Sequence, residues 1–175
     1  DAELSGLPCT MIRYTVRNPG RHSAEVVIAW SLDNPIGTGR PRRTALTRAP
    51  GMQGILMEDP SLQTNDPFRG SIALAALEAP GGQIAVRPTW RSNHWNIGAQ
   101  TFWFDSFSKT GDLGQESESH SSIGSVSIRH TIPPGENRTF RFLLSWHVPN
   151  RTPAGCGWEA PKGEENAALG NYYCT

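Results

Sequence analysis

The chain has 175 residues and a formal net charge of zero, with 16 basic and 16 acidic side chains. That length suits one domain with a buried core, and the charge balance gives no ground for a nucleic-acid partner or an acidic membrane surface. No apolar run approaches the ~18–20 residues of a membrane helix, so no transmembrane segment is expected.

The dominant period is two. In CTMIRYTVRN, residues 9–18, Thr10, Ile12, Tyr14 and Val16 share one face and Arg13, Thr15 and Arg17 the other, the pattern of a half-buried strand. Asn18-Pro19-Gly20 is a turn signal, because Pro fixes φ and Gly permits positive φ. AEVVIAWSL at 24–32 places Ala24, Val26, Ile28, Trp30 and Leu32 on one face, and the two segments are predicted to pair as a hairpin. Residues 33–52 lose the period and read as a long loop; the block Arg40, Arg42 and Arg43 reads as solvated surface.

GILMED at 54–59 is a short strand. SIALAALEA at 71–79 has helix-forming composition, but Gly70 before it and Pro80-Gly81-Gly82 after it favour a strand. QIAVRPTW at 83–90 is predicted to close a hairpin with it, and Pro88 places its end at a sheet edge. QTFWFDSF at 100–107 alternates Phe102 and Phe104 against Trp103 and Asp105 and reads as a further strand. SIGSVSIRHTI at 122–132 aligns Val126, Ile128, His130 and Ile132. A turn at Pro133-Pro134-Gly135-Glu136 comes next, then RTFRFLLSWHV at 138–148, which aligns Phe140, Phe142, Leu144 and Trp146. Pro149 has no donor and ends that ladder. Seven or eight short strands with no convincing helix predict an all-β fold, an antiparallel two-sheet sandwich over residues 1–151. Residues 152–175 form an irregular connector with one helical turn expected in EENAAL.

Little in this sequence carries reaction chemistry. The histidines His22, His94, His120, His130 and His147 show no metal-ligand spacing, and neither metal nor cofactor is expected. His130 and His147 are predicted to lie on neighbouring strands, where a packed or rim histidine is the commoner outcome. No G-x-S-x-G elbow occurs, and Gly37-Thr38-Gly39 lacks the context of a phosphate cradle. Asp105, Glu116 and Glu118 are carboxylates without a legible partner, so no catalytic residue is assigned. Cys9, Cys156 and Cys174 leave one thiol odd; a Cys156–Cys174 bridge and three free thiols both fit.

The strongest surface signal is aromatic. Trp90, Trp95, Trp103 and Phe107 fall close together, with Arg91, Asn93, His94, Asn96 and Gln100 between them. Indole faces stack on sugar rings and amides bond hydroxyls. Trp90, Asn93, His94, Trp95 and Trp103 are therefore candidates for carbohydrate or cleft contact. The alternative is that the same rings fill or close a sandwich core.

In order, VRNPG at 16–20, SLDNPIG at 31–37, WFDSFSKTGDL at 103–113, IPPGENRTFRFLLSWHVPNR at 132–151 and GNYY at 170–173 resemble the N-terminal domain of glycoside hydrolase family 116. That family holds non-lysosomal glucosylceramidases and bacterial β-glucosidases. The resemblance implies the later portion of a β-sandwich that precedes a helical catalytic domain of the same parent chain. The parent's substrate would be a β-glucoside or glucosylceramide, and the reacting carboxylates would lie on that second domain. The chain itself would then be a non-catalytic support, bordering the substrate cleft with one loop. Trp146, His147, Asn150, Arg151, Trp158 and Tyr172 become candidates for the domain interface, since interfaces favour Trp, Tyr and Arg. The competing reading is a stand-alone carbohydrate-binding module that uses the Trp90–Phe107 aromatics.

Overall fold

A computed structural model of the chain describes residues 6–37, 42–90, 97–114, 123–167 and 169. Its principal elements are eight strands: β1 (Cys9–Arg17), β2 (Ala24–Asp33), β3 (Arg43–Ala49), β4 (Met52–Glu58), β5 (Ser71–Leu77), β6 (Gln83–Trp90), β7 (Ile123–Ile132) and β8 (Asn137–His147). The described residues also hold two helices, α1 (Ile97–Thr110) between β6 and β7 and the single turn α2 (Pro153–Cys156) after β8. All strand pairs are antiparallel. A five-stranded sheet runs β1-β8-β5-β4-β3, and a three-stranded sheet runs β2-β7-β6. The fold is the all-β sandwich that the alternation predicts.

The predicted faces are the buried ones. Ile55, Met57, Leu74, Ala76, Phe140 and Phe142 from the large sheet meet Val126, Ile128 and Ile132 from the small sheet. Ile12, Val16, Val26, Ile28, Trp30, Leu32, Ile84, Val86 and Leu144 pack around this centre. Each buried aliphatic or aromatic side chain is worth roughly 1.5–3 kcal/mol of transfer free energy, so the layer between the sheets is what holds them together.

The connectivity departs from the sequence-based expectation in three places. The β1 and β2 segments are not a hairpin: β1 pairs with β8 and β2 with β7, in different sheets. Likewise β5 pairs with β4 and β8, whereas β6 pairs with β7. The turn at 133–136 also crosses between layers, so His130 and His147 are not on neighbouring strands. Turn chemistry reverses the chain direction equally well within a sheet or across the sandwich; the faces that must meet decide which. The tight hairpin that does form is β3–β4, around Pro50 and Gly51, with Gly51 at φ +75°.

Two further expectations are corrected. Part of the supposed loop at 33–52 is β3, an edge strand whose polar residues leave little alternation to detect. The segment 100–107 is not a strand but lies within the helix α1. Trp103 and Phe107, four residues apart, share one helical face and stack with parallel planes at a centroid distance of 5.2 Å. Phe104, which period two would bury, is 62% exposed. The helix ends at Gly111, whose φ of +64° suits the position after a last turn and whose N–H donates to Phe107 O at 2.7 Å.

No helix among the described residues is long and apolar enough to cross a membrane. No helical turn is assigned among the described residues of EENAAL; isolated hydrogen-bonded turns stand there and just before it, with Glu164 N donating to Pro161 O and Ala167 N to Glu164 O.

Candidate functional site

The aromatic candidates divide at the boundary of the described residues. Asn93, His94 and Trp95 lie outside them, as do Arg91 and Asn96. Trp90 and Trp103 lie inside them, Trp90 buried and Trp103 half-buried. Trp90 is 5% exposed and its indole N–H donates to Ser125 Oγ at 2.8 Å. Its ring stacks on Trp103 at 5.3 Å and 7°, and Trp103 in turn stacks on Phe107. The Trp103 indole donates to Leu113 O at 3.3 Å, a carbonyl that also accepts from Arg87 Nη1 at 2.6 Å.

These contacts place α1 and residues 111–114 over the outer face of the small sheet. Ser31 and Ser125 hydroxyls meet there at 2.7 Å. Arg129 donates to the carbonyls of Thr110 and Gly111 at 3.2 and 3.1 Å and pairs with Glu25. As a result Ser125 and Ser127 are buried along with the core residues of the same strand. A buried hydroxyl needs a partner, and Trp90 supplies one for Ser125.

The interface candidates gather at the other end of the chain. Trp146 N donates to Pro8 O at 2.9 Å, and His147 stands opposite Ser71 in the register of β5 and β8. Asn150 Nδ2 donates to Thr64 O at 2.5 Å and Asp66 O at 3.1 Å, which ties the exit from β8 to the β4–β5 loop. Arg151 lies over the Phe68 ring with its guanidinium carbon 5.5 Å from the centroid. Thr152 caps α2 by accepting from Gly155 N at 3.0 Å, and Pro153 occupies the first turn, where a missing N–H costs nothing. Beyond α2, Trp158 is 65% exposed, with Phe68 at 40% and Leu169 at 39%. Tyr172 lies outside the described residues.

The remaining titratable candidates do not converge. Asp105 is exposed on α1, and Glu116 and Glu118 lie outside the described residues. Among the described residues no group of three or more His, Cys, Asp or Glu is placed to hold a metal ion. Cys9 and Cys156 are free thiols; Cys174 lies outside the described residues, and with it the Cys156–Cys174 question. His130 is 3% exposed and meets Phe140 edge to face at 5.2 Å. Burial, and secondarily the charge of Arg138, hold its imidazole below the ordinary value of 6.5. Gly82 covers it so closely that a β-carbon there would stand 2.8 Å from Nε2.

Sequence reasoning read Asn18 only as part of a turn and passed over Asn34, yet the amides of both organise the fold. Asn18 and Asn34, 7% and 1% exposed, stand where the chain leaves one sheet for the other. Asn18 Nδ2 donates to His22 O and Ile132 O, each at 2.8 Å, and its Oδ1 accepts from Gly20 N at 3.0 Å. Asn34 Nδ2 donates to Arg43 O and Glu58 O at 3.1 and 3.2 Å, and its Oδ1 accepts from Ile36 N at 2.9 Å. Each is an Asx-turn followed by a proline that has no donor to satisfy. The repeated Asn-Pro dipeptide, in VRNPG and in SLDNPIG, was the available signal.

The family model described as "beta-glucosidase 2, glycosyl-hydrolase family 116 N-term" matches residues 1–174. No curated protein matches the chain at a significant level. The match spans nearly the whole chain: the protein belongs to the family of glycosyl-hydrolase family 116 N-terminal domains.

Proposed function

We propose that this domain is the non-catalytic support of a β-glucosidase or glucosylceramidase-like glycoside hydrolase, docked on a helical catalytic domain of the same parent chain. The match to the family's N-terminal model over residues 1–174 carries the reading. The parent's substrate is a β-glucoside or glucosylceramide, with the reacting carboxylates on the partner domain. Residues 1–151 are the sandwich and 152–175 the connector.

The end of β8 and the segment after it form the docking side. Trp158 leaves most of its indole in solvent, and Phe68 and Leu169 are also exposed. An exposed tryptophan and an exposed phenylalanine capped by arginine have the composition of an interface centre. Asn150 and the α2 cap hold this side on the sheet, and Trp146 and His147 extend it; Tyr172, outside the described residues, is assigned to the same interface from the sequence. The segment 91–96, between Trp90 and α1, is the part that borders the substrate cleft, with Asn93, His94 and Trp95 as contacts. Trp90, directly before it in sequence, stacks on Trp103 of α1.

The test compares the 175-residue chain with a protein that continues into the helical domain. The isolated chain should not turn over an aryl β-glucoside, and the longer protein should unfold at a higher temperature because the docking side gains partners. Trp158→Ala should reduce that gain and leave the isolated chain unchanged. Turnover by the isolated chain that disappears in Asp105→Asn, or equal unfolding temperatures for the two proteins, would sink the reading.

A further inference from the structure

β1 forms one edge of the large sheet, pairing with β8 on one side and with no strand on the other among the described residues. It runs for nine residues without proline or bulge. The two ends of the ladder fix the phase of its hydrogen bonds. Trp146 N donates to Pro8 O and Asn18 N donates to Glu136 O, each at 2.9 Å, and both pairs continue the β1–β8 register. In an antiparallel pair the bonded positions alternate. The even residues of β1 therefore bond to β8, and Met11, Arg13, Thr15 and Arg17 turn their N–H and C=O groups to the free edge.

The side chains sort by the same parity. Met11, Arg13, Thr15 and Arg17 stand on the outer face, all exposed. Arg13 is directly opposite Arg141 in the register, and among the described residues no carboxylate pairs with Arg13, Arg17 or Arg141. Like charges directly across a ladder destabilise it. Beside them Thr15 and Thr139 hydroxyls meet at 3.1 Å and leave the guanidinium groups unanswered. On the inner face Ile12, Tyr14 and Val16 are only partly covered: Tyr14 is 42% exposed, with the Trp30 ring 6.4 Å away.

A long unprotected edge is a template for another strand. The opposite edge, β3, differs: it has seven residues and lies against β6, where the sandwich closes. We infer that the β1 edge is a strand-docking site for an extended segment that alternates acidic and apolar residues. Its acidic side chains would pair with Arg13 and Arg17 on the outer face, as guanidinium groups and carboxylates do in bidentate geometry. Its apolar side chains would cover Ile12, Tyr14 and Trp30. The backbone of Met11, Arg13, Thr15 and Arg17 would supply the ladder. A second copy of this chain is the poorer occupant, because it brings its own arginines to the same facet.

The experiment titrates the folded 175-residue chain against a fluorescent nine-residue peptide alternating glutamate and valine, with a lysine–valine peptide as control. Amide hydrogen exchange is followed on β1. The acidic peptide should bind about tenfold more tightly than the basic one and weaken as salt rises from about 50 to 300 mM. It should slow exchange at Met11, Arg13, Thr15 and Arg17. Thr15→Pro removes an N–H that β8 does not use, so the chain should fold and the peptide should be lost. The double variant Arg13→Glu/Arg17→Glu should invert the preference between the peptides. Equal affinity for the two peptides, or unchanged binding by folded Thr15→Pro, overturns the inference. So does a concentration-dependent dimer that Thr15→Pro abolishes. Should Thr15→Pro fail to fold, unchanged exchange at the four edge amides of the wild type overturns it equally.

Discussion

The two sheets solve the same problem differently. The small sheet is covered on both faces: the core lies on one side, and α1 with residues 111–114 lies on the other. The large sheet is covered on its inner face, while the part of its outer face around Met11, Arg13 and Arg141 stands in water. The contrast is visible in composition. β7 places serines on its outer face and has them buried, which is tolerable because Trp90 and Ser31 bond to Ser125. β1 places arginines at the corresponding positions and leaves them exposed. A strand's polar face is thus not a guide to solvent by itself: under the lid the serine hydroxyls and the Arg87 and Arg129 guanidinium groups find partners, whereas the arginines of β1 stay in water.

The largest effect that tests this contrast is in the shared core. Phe142→Ala should destabilise the chain by about 3–5 kcal/mol, measured by urea unfolding, because the side chain is fully buried between the sheets. Met11→Ala, on the bare outer face of β1, should stay within about 0.5 kcal/mol. A comparable loss at Met11 would mean that the outer face of the large sheet is covered too.

Next comes the lid. Trp103→Ala removes two ring stacks and the bond to Leu113 O, and should cost about 2–3 kcal/mol, less than a fully buried tryptophan. Near-ultraviolet circular dichroism should lose the signal of the coupled Trp90 and Trp103 indoles. An unchanged spectrum would break the claim that α1 packs on the small sheet through these rings.

A smaller loss is expected where the sheets are tied. Asn18→Ala leaves His22 O and Ile132 O without their donor and should cost about 1–3 kcal/mol in thermal or chemical unfolding. Asn18→Asp, which keeps the acceptor for Gly20 N but not the amide donors, should recover only part of that loss.

The smallest effect is a pH dependence. His130 lies in the layer between the sheets with its folded value depressed, so the unfolded chain takes up the proton first. Its contribution to stability is full above about pH 6.5, falls as pH drops below that value, and levels off once the folded imidazole itself titrates. His130→Leu should flatten the stability profile between about pH 5 and 7. A slope unchanged by that substitution would assign the dependence to other groups.

Much of this was legible in the sequence, for a physical reason. Period-two patterning fixes which side chain faces the core whatever its strand pairs with. The faces Val126–Ile128–His130–Ile132 and Phe140–Phe142–Leu144 were therefore determined locally, as was the strand at 71–77 between its glycine and proline boundaries. The Asn-Pro dipeptides were equally present but could not be read as sheet-to-sheet ties, since their amide partners, Ile132 O, Arg43 O and Glu58 O, are remote in sequence. The helix at Ile97–Thr110 was missed because its aromatic residues satisfy both a period of two and a spacing of four, and only the location of Trp90 chooses between them.

Local sequence thus determined the sandwich's lining, its turn positions and the likeness to a glycosyl-hydrolase N-terminal domain. Tertiary structure alone decided that consecutive strands part into different sheets, that Trp90 lies against Trp103 of a helix, and that β1 has no second strand partner among the described residues. Those outcomes depend on which surfaces bury one another, a competition among distant segments that alternation within a single strand does not encode.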